Sequence, residues 1–146
     1  MDYSVKCPIL QPNQQLEKAM IKEKFQIEYV FQNISFGVLW NSISSPMGLA
    51  GWFAEKVEVE NRIYTFTWGD HSQQAELILL HSGTFIRFHW LEDENEKTYF
   101  ELKISIDELT SAVALVITDF AEPDEKRDAI LLWNRQVDDL RRSAGI

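Results

Sequence analysis

The stretch FQIEYVFQNISFGVLWNSISSPMGLAGWF, residues 25–53, decides the architecture. In its first part Phe25, Ile27, Tyr29 and Phe31 alternate with Gln26, Glu28, Val30 and Gln32. A period of two places each set on its own face of an extended chain, so a half-buried strand is predicted. The period then changes. Phe36, Leu39, Trp40 and Ile43 fall at helical spacing behind Ser35, whose hydroxyl suits the cap of a short helix. Ser45-Pro46 restarts the chain as a second short helix. Pro46 takes its first position, where a missing N–H costs nothing, and Trp52-Phe53 stand near its end.

Beyond this stretch the chain reads as strands in series. Segments of strand character cover about 56–60, 62–68, 73–80, 84–91, 97–106 and 112–120. Gly69-Asp70, Ser82-Gly83, the acidic run 92–96 and residues 107–111 separate the later ones. Links this short join neighbouring antiparallel strands, because a parallel pair needs a long crossover. The chain then closes on one long amphipathic helix. Pro123 suits its first position, and Asp124 and Glu125 complement the positive end of its dipole. Ile130, Trp133, Val137, Leu140 and Ala144 recur at three- and four-residue steps and form one apolar stripe. The stripe is expected to cover one face of the sheet, with Trp133 at its middle. The fold class is therefore α+β: a curved antiparallel sheet wrapped around a long C-terminal helix, with two short helices after the first strand.

The order strand, two short helices, strands, long helix resembles the START-like (SRPBCC) superfamily and its helix-grip fold. Within it, the chain is similar to proteins related to the C-terminal domain of the activator of the large heat-shock chaperone's ATPase. Val38-Leu39-Trp40, Ser45-Pro46 and Trp52-Phe53 carry the likeness, together with the glycine-bearing turns beyond them, over roughly residues 23–146. The resemblance implies the fold closely and the function loosely, because one fold hosts many activities. Relatives of this kind often hold lipophilic molecules between sheet and helix, some associate with a chaperone, and some are cyclase- or hydrolase-like enzymes.

Composition narrows the choice. A chain of 146 residues suits one domain with a substantial core. The formal net charge is −9, from 23 acidic and 14 basic residues. Nucleic acid and anionic membranes attract positive surfaces, so neither is an expected partner. Arg141-Arg142 is the one basic cluster, and it reads as charge at a helix C-terminus. The single cysteine, Cys7, excludes an internal disulfide and a multi-cysteine metal site. No apolar run reaches the length of a membrane span, and the first residues lack a signal-peptide pattern, so a cytoplasmic location is expected.

No catalytic motif emerges. His71, His81 and His89 lie far apart without metal-ligand spacing. His71 reads as a turn residue, and His89 shares with Arg87 the wetter parity of its strand. Glu92, Asp93, Glu94 and Glu96 read as a solvated hairpin turn, since a Ca²⁺ loop needs regular ligand spacing and a central glycine. Neither a metal nor a cofactor is expected.

The aromatic residues are the informative set, with 9 Phe, 5 Trp and 4 Tyr. Tyr64, Phe66 and Trp68 share one strand face, Phe88 and Trp90 another, and Phe100 the parity of Leu102 and Ile104. With Trp133 these seven are the candidate lining of a ligand cavity between sheet and helix. The same residues would equally fill a core with no ligand. Tyr64, Thr118 and Asp119 are the polar groups that an enzyme of this fold would have to bring together there. The expected function is a non-enzymatic domain binding an apolar small molecule. A chaperone-associated interaction module is the alternative from a different class.

Residues 1–22 differ from the rest. Pro8, Pro12, Asn13 and a glutamine run give them no sustained period, and they read as a weakly structured extension before a single domain at 23–146. A translation start at Met20 would account for the boundary equally well. Removing residues 1–19 should therefore leave the cooperative thermal unfolding intact. A melt that loses its cooperativity in the shortened protein would make the segment structural.

Overall fold

The structure, a computed structural model, describes residues 21–145, so the extension read over 1–22 lies outside the described residues but for its last two. Ten elements follow one another: β1 (Glu23–Phe31), α1 (Phe36–Ser44), α2 (Pro46–Leu49), β2 (Lys56–Glu60), β3 (Ile63–Trp68), β4 (His71–His81), β5 (Phe85–Trp90), β6 (Phe100–Ile106), β7 (Val113–Ala121) and α3 (Lys126–Ala144). The strands form one seven-stranded sheet in the order β1-β7-β6-β5-β4-β3-β2. Every pairing is antiparallel. This is the helix-grip arrangement.

The two short helices share one serine. The Ser45 backbone N–H closes α1 on the Asn41 carbonyl, while its hydroxyl accepts from the Gly48 N–H to cap α2. The corner is tight enough to require glycine. A Cβ on Gly48 would stand 2.0 Å from the Asn41 carbonyl oxygen, far inside van der Waals contact. Leu39, Ile43 and Leu49 are buried completely by this corner.

α2 ends at Leu49, short of the Trp52-Phe53 pair expected near its end. There the Leu49 carbonyl takes N–H groups from Trp52, Phe53 and Ala54, and the chain unwinds into a turn. Unwinding lets the two aromatic side chains diverge. Trp52 donates its indole N–H back to the Ser42 carbonyl (2.8 Å), and Phe53 enters the core.

Two other boundaries differ from expectation by three residues. The strand expected from residue 97 begins at Phe100. The Lys97 N–H is taken by the Asn95 side chain and the Thr98 N–H by the Asn95 carbonyl, so the turn claims that backbone. Pro123 likewise precedes the long helix instead of opening it. A turn from the Glu122 carbonyl to the Glu125 N–H comes first, and α3 starts at Lys126.

The inward face of the sheet follows the alternation in the sequence. Phe66, Phe88, Leu102, Leu115 and Ile117 are all fully buried. In β4 the register shifts between Leu77 and Leu79, a bulge at Ile78 that bends the strand. α3 lays Trp133, Val137 and Leu140 against this face, joined by Gln136. It ends at Gly145, whose positive φ of 76° forms a left-handed cap. The Tyr29 hydroxyl donates to Asn134 Oδ1 (2.6 Å) and ties β1 to the same helix.

Trp133 retains 6% exposure at the centre of this contact. Its replacement by alanine should cost about 3–5 kcal/mol in urea unfolding, the usual range for deleting a buried large aromatic. A loss below about 1 kcal/mol would mean that the helix does not hold the sheet through this residue.

Candidate functional site

The seven aromatic residues singled out above divide into two groups. Tyr64, Phe66, Phe88 and Phe100 are buried in a solid core. Phe66 meets Phe88 edge-on at 5.8 Å, and Phe88 stacks on Phe100 at 5.1 Å. What closes this end of the sheet–helix space is Phe53. Its ring lies 4.9 Å from Phe66, 5.5 Å from Phe100 and 5.7 Å from both Trp68 and Trp133. Its carbonyl accepts from the Trp68 indole (2.8 Å) and from Gln136 Nε2 (2.9 Å), which joins loop, sheet and helix at one atom.

Trp68, Trp90 and Trp133 form the second group. Beside Phe53 the filling stops, and a cleft of about 450 Å³ opens between sheet and helix. Trp68 and Trp90, with ring centroids 6.4 Å apart, form its sheet wall. Trp133, Leu132 and Ala129 form its helix wall, and Phe53 its floor. At the mouth stand His71 and Gln73. His71, read above as a turn residue, is the first residue of β4 and follows the inward parity of Ala75 and Leu77.

One carboxyl faces this aromatic space. Asp119 shares the parity of Leu115 and Ile117 and therefore points inward near the end of β7. Its Oδ2 accepts from the Trp133 indole N–H (2.9 Å) and its Oδ1 from the Phe120 N–H (2.8 Å). Burial pushes its pKa up to about 6, against the opposing pull of those two hydrogen bonds and of the Lys22 charge. Thr118 faces the other way and accepts from Gln26 Nε2 (3.0 Å). Tyr64 belongs to the core, where burial raises its hydroxyl above the ordinary range. Of the three polar groups considered for an enzyme, only Asp119 lines the cleft. Its partners are an indole and a backbone amide, neither of which relays a proton.

A second hollow of about 590 Å³ lies between the 50–55 loop and the later turns of α3. It shares Phe53, Trp68, Leu132 and Gln136 with the cleft, but Glu55, Arg135, Asp139 and Arg142 make its outer wall polar.

On the opposite face of the sheet Arg87 and His89 are engaged structurally. Arg87 pairs with Glu101 (2.8 Å) and lies over the Tyr99 ring. His89 Nδ1 stands 2.8 Å from the Thr98 carbonyl, which can only accept, so that nitrogen carries the proton. The acidic turn is less solvated than its composition implies. Asp93 turns inward to take hydrogen bonds from Lys22, Asn95 and Thr98. Among the described residues no three His, Cys, Asp or Glu side chains gather as a group that could hold a metal ion. No described helix is long and apolar enough to cross a membrane.

The raised pKa has a measurable consequence. Folding favours the protonated form of Asp119, so its contribution to stability is fully present below the ordinary value of 3.8 and is lost as pH rises through about 6. At about 1.4 kcal/mol per pH unit this amounts to at most about 3 kcal/mol. Asp119→Asn keeps an acceptor for Trp133 without the charge. Its stability relative to wild type, from urea unfolding at a series of pH values, should rise between about pH 4 and pH 7. A difference that stays flat would place the carboxyl in solvent.

Comparison with known proteins agrees with this geometry. The sequence pattern of the START-like superfamily domain matches residues 19–146. The solution structure of BfR322 from Bacteroides fragilis is 48% identical, covering 85% of this chain and 92% of that one, with a TM-score of 0.61. The Aha1 dimer from Colwellia psychrerythraea is 12% identical over 87% of this chain and 98% of that one, with a TM-score of 0.66. XoxI from Bacillus cereus is 9% identical over 86% and 96% of the two chains, also at 0.66. The likeness to these last two is one of fold. No curated protein matches the chain. Matched by that pattern over all but its first residues, and built as a sheet gripping a C-terminal helix, the chain belongs to the START-like superfamily.

Proposed function

We propose that this domain is a non-enzymatic binding module that takes an apolar small molecule into the cleft between sheet and C-terminal helix. The observation that carries the reading is the way the aromatic set divides. Four rings and Phe53 fill the core, while three indoles wall a cleft of about 450 Å³. That volume lies within the range of small-molecule sites, about 300–1,000 Å³, which are mostly apolar with a few polar groups to orient the ligand. Gln73, Gln136, His71 and Asp119 are those polar groups here. A rigid floor favours a preformed site, since little order remains to be imposed on binding.

Ala129 offers a clean test, because it lines the cleft from a half-exposed position on α3. Ala129→Phe should fill the space while leaving the core contacts of Trp133 in place. Decyl alcohol should shift tryptophan emission and the indole N–H resonances of the wild type. The variant should bind it at least about tenfold more weakly with its melting temperature nearly unchanged. Equal binding by both proteins, or no response from either, would remove the cleft as a ligand site.

A further inference from the structure

The cleft carries more information than its apolarity. Among the ten residues that line it, Asp119 is the only Asp, Glu, Lys or Arg. Its two oxygens each hold one hydrogen bond, from the Trp133 indole and the Phe120 amide, and each keeps a further acceptor position. The Trp133 indole holds it directly, and the indoles of Trp68 and Trp90 line the same cleft. Indole faces are negative and attract cations, and tryptophan does so more strongly than other aromatic side chains. We propose that the cleft selects organic cations, seating an alkylammonium headgroup among the three indoles with Asp119 as its counter-ion. The proposal rests on the cleft being a ligand site and adds the charge of the ligand.

The surroundings favour the same sign. Lys22, the cation that acts on Asp119, is held by Asp93 at 3.0 Å and does not line the cleft. Lys126 at the start of α3 lies over the Phe25 ring at 6.0 Å and does not line the cleft. Phe25 is the register partner of Asp119 on β1. His71 is the remaining titratable group, at the mouth. Burial disfavours a bare carboxylate at Asp119, and a bound cation relieves that cost by supplying the missing charge. A carboxylate or sulfate headgroup would meet repulsion at the same point. The net charge of −9 draws cations toward the molecule as a whole, so surface association must be separated from binding in the cleft.

Three ligands with one tail make that separation: decyltrimethylammonium, decyl alcohol and decyl sulfate, titrated below their micelle-forming concentrations at neutral pH. Binding is followed by calorimetry and by the indole N–H resonances. The cation should bind about tenfold or more tightly than the alcohol, and the sulfate more weakly than either. The Trp133 indole N–H, which donates to Asp119, should shift most with the cation. Asp119→Asn should abolish the advantage of the cation over the alcohol. Ala129→Phe should weaken both, and thermal melts check that each variant is folded. If the alcohol binds in the cleft and the cation binds no better, charge selection is wrong and the apolar site stands. If the cation binds equally to Ala129→Phe, it is held by the acidic surface and the inference fails. If neither ligand binds, the cleft reading falls, and this inference with it.

Discussion

The structure depends on what Phe53 does in a loop without regular secondary structure. Its ring fills the space between sheet and helix, touching Phe66 and Phe100 from the sheet and Trp133 from α3. Its carbonyl would be an unsatisfied buried acceptor were it not met by the Trp68 indole and Gln136. Leaving such a group unpaired costs about 1–3 kcal/mol, whereas pairing it fixes the loop against both layers. Trp68 and Gln136 are in turn oriented by donating to it. The sheet wall and the helix wall of the cleft are thus set by one residue, which is also its floor.

This division of labour explains how a domain rich in aromatic rings can be both solid and hollow. Stacked and edge-on contacts among Phe53, Phe66, Phe88 and Phe100 leave no room for a guest. The indoles are larger and carry an N–H that must find an acceptor. Trp68 and Trp133 are therefore held by their polar ends, at the Phe53 carbonyl and at Asp119. A ring anchored by its edge at the margin of the core can present a face to solvent without collapsing inward.

Most of the fold was legible because its signals are periodic. The alternation in 25–31, the helical spacing behind Ser35 and the stripe through Trp133 each map onto an element, with Phe36 alone of the four named α1 residues left exposed. The site was legible in part. Strand parity placed Trp68 and Trp90 inward and the helical stripe placed Trp133, and the parity reasoning applied to Leu115 and Ile117 would have brought in Asp119. His71 and Gln73 could have been read in the same way from Ala75 and Leu77. Phe53 could not, because a residue in a turn has no period to betray its direction. The end of α2 and the starts of α3 and β6 were misplaced for a related reason. Each is fixed by a local hydrogen bond from a turn, at Leu49, Glu122 and Asn95, which competes with continuation of the element.

The strand order leaves the sheet open, with β1 at one border and β2 at the other. An unclosed border is a row of free amides and carbonyls on which another chain could add as a further strand. Both borders are guarded by charge. Lys56, Glu58 and Glu60 stand exposed along β2, and Glu23, Lys24 and Glu28 along β1. A second copy drawing up beside either border would have to desolvate these groups, most of them acidic, against a molecule of the same net charge. Charge at both borders therefore raises the cost of adding a further strand to the sheet that the described residues form.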